Sequence, residues 1–179
     1  MPGRRQCGWT FDAGEALFLR MTPEFHRFAP TDADWLVARH GDLYAQDEGF
    51  DASFPDLVRQ IIDAFVADHD PATEGGWILW QGDRRIGSVF VVRESSDTAK
   101  LRLVLLEPEA RGLGLGQRLL DQAIGFARAA GYRRMRLWTH ESHRAAGRLY
   151  ARNGFDLVAS EPRQSFGCDV VAQYWERGI

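Results

Sequence analysis

The chain has 179 residues, 45% of them apolar, and a net charge of −3. That length suits one domain with a real core, and the slight acidity provides no field for general nucleic-acid binding. Cys7 and Cys168 stand far apart without zinc-ligand or disulfide-framework spacing, and no apolar run approaches the ~18 residues of a membrane helix, so a soluble cytoplasmic protein without a metal is expected.

Residues 1–24 carry mixed signals, from MPGRRQCGW to EALFLRM, and are expected to form an appendage to a domain over residues 25–179. FHRFA, at 25–29, alternates as a short strand would. Pro30 stops it, and Thr31 is placed to cap a helix over about 32–46 with Asp34 three residues on. Leu57, Val58, Ile61, Ile62, Phe65 and Val66 repeat at helical spacing, which predicts a second helix over about 53–68, with Pro71 and Gly75-Gly76 marking its end.

The period then changes from helical to alternating. WILW at 77–80, the turn Gln81-Gly82-Asp83 and IGSVFVV at 86–92 predict an antiparallel hairpin, followed by a strand KLRLVLL at 100–106. Pro108 ends that strand, and Gly112, Gly114 and Gly116 precede a helix marked by Leu119, Leu120, Ala123, Ala127 and Ala130 and closed by Gly131. RMRLWT reads as a strand, HRAAGRLYARNG as a short helix ending at Gly154, and FDLVAS and DVVAQYW as two last strands. Strand, two helices, three strands, helix, strand, helix and two strands make an α+β fold on one mixed sheet.

The glycine loop cannot be a dinucleotide fingerprint, because its spacing is G-x-G-x-G and a hairpin lies upstream. Nor is it a Walker A loop, since Gly116 is followed by Gln117-Arg118. Glycines ahead of a helix start can aim successive N–H groups at one anion, and a pyrophosphate fits there. The alternative is a tight strand-to-helix turn with no ligand.

RGLGLG at 111–116, directly after LVLLEPEA, resembles the pyrophosphate loop of the GNAT superfamily of N-acetyltransferases, Arg/Gln-x-x-Gly-x-Gly/Ala. GRLYARNGFDLV at 147–158 is similar to that family's second signature, and the order of elements from residue 25 to 176 is similar to its topology. RHGDLYAQDEGFD, KLRLVLLEPEARGLGLG and LYARNGF further resemble the acetyltransferase half of proteins fused to MarR-type regulators, without implying DNA binding by this chain.

The resemblance implies acetyl-CoA as co-substrate and an amine of a small molecule or peptide as acceptor, with a homodimer as a frequent assembly. It assigns the pyrophosphate to the loop from Arg111 and Gly112 through Leu113, Gly114, Leu115 and Gly116 to Gln117. Backbone groups of Val104 and Leu106 would meet the pantetheine arm, and Tyr150 would protonate the departing thiolate or donate a hydrogen bond to it. His143 stands where the family often has the asparagine that hydrogen-bonds CoA.

A base for the amine is sought at Glu94 and Glu107, each near a strand end, with an already free amine as the alternative. Arg144, Arg148 and Arg152 share one helix face, either solvated or near the CoA 3′-phosphate. Arg133, Arg134 and Arg136 read as strand-edge solubility residues, and Trp77, Trp80, Tyr174, Trp175, Phe50 and Phe54 as core. The acceptor pocket is expected near His40, Tyr44, Asp47 and Glu48, whose acids would suit a cationic amine. The competing functional reading is a CoA-binding regulatory module with little turnover.

Overall fold

The computed structural model describes residues 21–179. Cys7 and residues 1–20 of the expected appendage lie outside the described residues.

Seven strands form one sheet in the order β1-β2-β3-β4-β5-β7-β6. They are β1 (Glu24–Arg27), β2 (Gly75–Gln81), β3 (Arg84–Arg93), β4 (Thr98–Leu106), β5 (Arg134–His140), β6 (Asp156–Ser165) and β7 (Cys168–Gly178). Every pairing is antiparallel except β4 with β5. Helices α1 (Ala33–Glu48) and α2 (Ser53–Asp68) follow β1, α3 (Leu115–Ala129) follows β4, and α4 (Arg144–Arg152) follows β5. The expected mixed sheet and element order are those observed.

Alternation along the strands sorts two cores, because successive strand side chains point to opposite faces. Leu79, Val89, Val91, Leu101, Met135 and Leu137 pack against α3, whose buried stripe includes Leu119, Leu120, Ala123 and Ala127. Ile78 and Phe90 face the other way, against Leu36 of α1 and Val58, Ile62 and Phe65 of α2. Covered on both faces, β3 is buried without a break from Ile86 to Val91.

The decisive irregularity is in β4. Ser88 pairs with Leu105 and Phe90 with Arg102, so two steps on β3 oppose three on β4. That is a β-bulge, which bends the strand that carries it. Leu103 at the bulge has φ 48°, and the buried Ser88 hydroxyl donates to its carbonyl at 2.6 Å. Beyond it β4 leaves its parallel neighbour. The two strands pair only from Thr98↔Arg134 to Leu101↔Leu137, although β4 continues to Leu106 and β5 to His140.

Several sequence expectations are corrected. Thr31 is exposed within a 3-10 turn, Pro30–Asp32, and does not cap α1; Asp32 accepts from the Ala29 N–H at 2.9 Å and from Arg85 Nε at 2.8 Å. Gly75 and Gly76 begin β2, where a Cβ on Gly76 would lie 2.4 Å from the Phe90 ring. β5 is a central strand, so Arg134 and Arg136 do not sit at a sheet edge. Arg134 pairs with Asp97 at 3.0 Å, and Arg136 pairs with Glu176 and with Glu94. β6 also runs on through Glu161–Ser165, residues expected to be a connection. Among the described residues no helix is long and apolar enough to cross a membrane.

Ser88→Ala removes the hydroxyl that donates to the Leu103 carbonyl and is expected to cost about 1–3 kcal/mol in urea unfolding at pH 7. An unchanged unfolding midpoint would show that the bulge does not depend on that bond.

Candidate active site

The glycine loop leaves the end of β4 through a 3-10 turn, Pro108–Ala110, and opens α3. Gly112 and Gly114 have φ of 78° and 77°, in the left-handed region, and nothing lies within 4 Å of a Cβ built on either. The backbone geometry requires glycine there, and the space in front of the loop is open. The Gln117 and Arg118 N–H groups turn back onto the Gly114 carbonyl. Those ahead of them are groups that a helix start leaves without an intrahelical acceptor.

The loop side chains have other partners. Arg111 pairs with Asp47 at 3.2 Å and donates to the Leu106 carbonyl at 3.2 Å, tying the loop to the end of α1. Gln117 bonds Asp121 at 2.8 Å and Asn153 at 2.8 Å, fixing the first turn of α3 to the end of α4. An anion at this loop would therefore meet backbone, with side chains holding the backbone in place.

The parting of β4 from β5 opens a cavity of about 470 Å³. Tyr44 and Leu57 line it from the α1–α2 side, Val104 and Thr139 line it from the parted strands, and Tyr150 of α4 closes it from the other layer. Tyr150 is 5% exposed, and burial, with Tyr44 close by, pushes its phenol well above the ordinary tyrosine value. Burial raises Tyr44 to about 12, with Glu48 adding to the effect. Both hydroxyls are thus held protonated at neutral pH.

His143, immediately before α4, has both ring nitrogens engaged by protein groups. Nε2 lies 3.1 Å from Glu48 Oε1, and Nδ1 lies 3.3 Å from Thr139 Oγ1. Glu48 also accepts from Ser142 Oγ at 2.6 Å. With Glu48 ionised, the neutral ring carries its proton on Nε2 and keeps Nδ1 basic. Burial lowers the His143 pKa while Glu48 opposes the shift, which keeps the imidazole neutral and ready to accept a proton. His143 thus belongs to a Glu48–His143–Thr139 chain rather than presenting a free side chain as the family's asparagine would.

Neither carboxylate sought as a base lines the cavity. Glu107 is buried and gripped by Arg39 through two bonds of 2.7 and 2.8 Å, joining α1 to the end of β4. Glu94 is held between Lys100 and Arg136, each at 3.6 Å. Sequence reading placed Glu48 near the pocket, but nothing marked it or Thr139 as a partner of His143, or Ser142 as a donor to Glu48. They come together only when the end of α1 packs beside the turn between β5 and α4. His40 and Tyr44 line the cavity as expected, whereas Asp47 is engaged by Arg111. Arg144, Arg148 and Arg152 are all exposed on α4. Among the described residues no cluster of three or more His, Cys, Asp or Glu could hold a metal.

Residues 34–155 match the profile of the Acetyltransferase (GNAT) family. A mycothiol acetyltransferase of Geodermatophilus obscurus is 36% identical over 92 residues, covering 48% of this chain and 29% of the relative. The chain thus spans about three tenths of the length of the curated relatives it matches. Among solved structures, spermidine N-acetyltransferase from Vibrio cholerae in complex with CoA and spermine superposes with a TM-score of 0.69 at 14% identity, over 87% of this chain and 95% of that one. A putative acetyltransferase from Salmonella typhimurium with its cofactor acetyl-CoA gives 0.69 at 17% identity, over 88% and 94%. At these identities the superpositions establish the fold.

Two buried histidines predict an acid limit to stability. Burial lowers His40 and His140 to about 4, so between about 6.5 and 4 the unfolded chain binds protons that the folded one refuses. Stability is therefore fully present above about 6.5 and falls on acidification, by up to about 1.4 kcal/mol per pH unit for each ring. Urea unfolding at pH 7 and pH 5 should show this loss, and His40→Gln should reduce it; equal stability at the two pH values contradicts it.

Proposed function

Because the chain belongs to the acetyltransferase (GNAT) family, with residues 34–155 matching its profile, we propose that it is an N-acetyltransferase moving an acetyl group from acetyl-CoA to a primary amine by direct transfer within a ternary complex. The observation that carries this reading is the cavity through the parted β4 and β5, which reaches from the α1–α2 side to Tyr150, on a strand that continues into a glycine loop at a helix start. The catalytic unit on this reading is residues 25–179, and a cytoplasmic homodimer is its expected setting.

The residues present fit acetyl-CoA. The open space before Gly112 and Gly114 admits an anion to the loop backbone, and β4 beyond Leu101 has no partner strand on its β5 side. Val104 and Leu106 can thus offer backbone groups to the pantetheine arm, as a neighbouring strand would otherwise receive them. When bound, acetyl-CoA supplies an acetyl group already activated as a thioester.

A C–N bond forms and a C–S bond breaks, and two proton transfers balance the exchange. The amine's proton goes to Nδ1 of His143, directly or through Thr139, and Glu48 on Nε2 stabilises the imidazolium. Tyr150 delivers its proton to the departing thiolate, a role its raised pKa suits by keeping it protonated until the sulfur carries charge. Rapid water exchange then resets both groups.

Release of free thiol from acetyl-CoA across a panel of amines, amino acids and peptides tests the proposal. Tyr150→Phe is expected to lower kcat by about 100-fold with CoA affinity retained. Glu48→Gln should lower kcat/KM most on the high-pH plateau and move its acid limb to lower pH, because His143 without its carboxylate has a lower pKa and is a weaker base. Gly114→Val, at φ 77°, should abolish CoA binding by distorting the loop. Tight CoA binding with no amine-dependent thiol release would favour the CoA-binding module instead.

A further inference from the structure

The cavity wall is unbalanced in charge. Lys100, Arg102 and Arg163 line it, and among the described residues no aspartate or glutamate does. Lys100 shares Glu94 with Arg136, and Arg163 donates to the Tyr174 hydroxyl at 3.2 Å, so both have some local compensation. Arg102 has no such partner. Among the described residues no carboxylate lies within ion-pair distance of its guanidinium, and its Nε is buried without a hydrogen-bond partner.

Other half-buried arginines have acceptors: Arg118 donates to the Pro23 carbonyl, and Arg177 to the Asn153 and Gly178 carbonyls. Arg39 and Arg85 are also half-buried, with side-chain exposures of 29% and 27%, and each is held by a buried carboxylate, Glu107 at 2.7 Å and Asp32 at 2.8 Å. A partly desolvated cation without an ion-pair partner is costly, and burial draws the Arg102 pKa below its ordinary value although Glu94 opposes the shift. Trp138, one residue past the last β4–β5 pair, lines the same cavity with its Nε1 buried and unpartnered. An arginine and an indole can only donate, so the missing partner is an acceptor, and beside Arg102 it should be anionic.

Arg102 also lies close to the transfer centre. It directly precedes the bulge, two residues before Val104, a span of roughly 7 Å along a strand. A small molecule with its anion at Arg102 could place an amine at the parted strands, near the Nδ1 of His143.

We propose that the acceptor is a small amine bearing a carboxylate, held by Arg102 on the β4 wall with Lys100 and Arg163 adding positive potential, and oriented so that its amine faces His143 and Tyr150. This reading rests on the cavity being the acceptor site of the proposed transfer. It reverses the expectation that acids near the end of α1 select a simple cationic amine, since Asp47 is paired with Arg111 and Glu48 with His143.

Matched pairs differing only in the carboxylate test it: ornithine against putrescine, lysine against cadaverine, and phenylalanine against phenethylamine. Thiol release from acetyl-CoA should give the carboxylate-bearing member a kcat/KM about 10- to 100-fold higher, carried mainly by KM. Arg102→Gln should raise KM for that member by a similar factor, with a much smaller change for its decarboxylated counterpart, and Arg102→Lys should recover part of the loss. Calorimetric titration of the same pairs into the CoA-loaded protein reads the site even without turnover. Arg102-dependent amino-acid binding with no thiol release would uphold the inference while the transfer reading fails. Equal or better use of the decarboxylated amines, equal damage to both members by Arg102→Gln, or binding of neither member of any pair would overturn it.

Discussion

The parting of β4 from β5 organises the molecule. Two parallel strands pair for four residues and then separate, because an extra residue in β4 bends it at Leu103 and Ser88 fixes that bend through a buried hydrogen bond. Strand backbone normally satisfies itself across a sheet. Here one side of β4 is left without a strand in the middle of the molecule, an arrangement suited to a ligand that can supply hydrogen bonds of its own. The glycine loop continues from the end of that strand, so the two candidate contacts for an extended cofactor lie on one continuous stretch of chain. Gln117 and Asn153 then tie the loop's helix to the helix carrying Tyr150.

Electrostatics divides the site in a second way. Buried carboxylates are consumed in tying elements together: Glu107 to Arg39, Asp32 to Arg85, Glu48 to His143. These links place α1 against β3, β4 and the start of α4, closing one wall of the cavity. What remains facing the cavity is neutral or positive, including two tyrosines held protonated, three histidines held neutral, Lys100, Arg163 and an arginine, Arg102, without an ion pair. A neutral imidazole backed by a carboxylate can receive a proton, a protonated phenol can release one, and an unpaired guanidinium can hold an anion.

Much of the fold was legible in the chain. The helical repeat of Leu57, Val58, Ile61, Ile62, Phe65 and Val66 predicts α2 over its observed limits, and strand patterns fall at the positions of all seven described strands, because such patterns report local geometry. Local cues misled where a residue's role depended on a distant partner. Thr31 had the form of a cap, but Asp32 took the backbone bond because Arg85 holds its other oxygen. Gly75-Gly76 looked like a breaker, yet it is a strand start kept bare by the Phe90 ring. Arg134 and Arg136 looked like surface charge on an edge and belong to a network on a central strand.

By itself the sequence determined the mixed sheet, the order of its elements, the glycine loop at the start of α3 and the family, since each rests on spacing along a continuous stretch. Only the tertiary structure decided which charged groups are occupied and which are left over. Glu94 and Glu107 were reasonable bases by position along the chain, but their neighbours in space are arginine and lysine. Glu48, Thr139 and His143 meet across 95 residues of sequence, and the solitude of Arg102 is a property of the cavity wall as a whole. Pairing between charges is fixed by distance and desolvation, and those quantities exist only once the chain has folded.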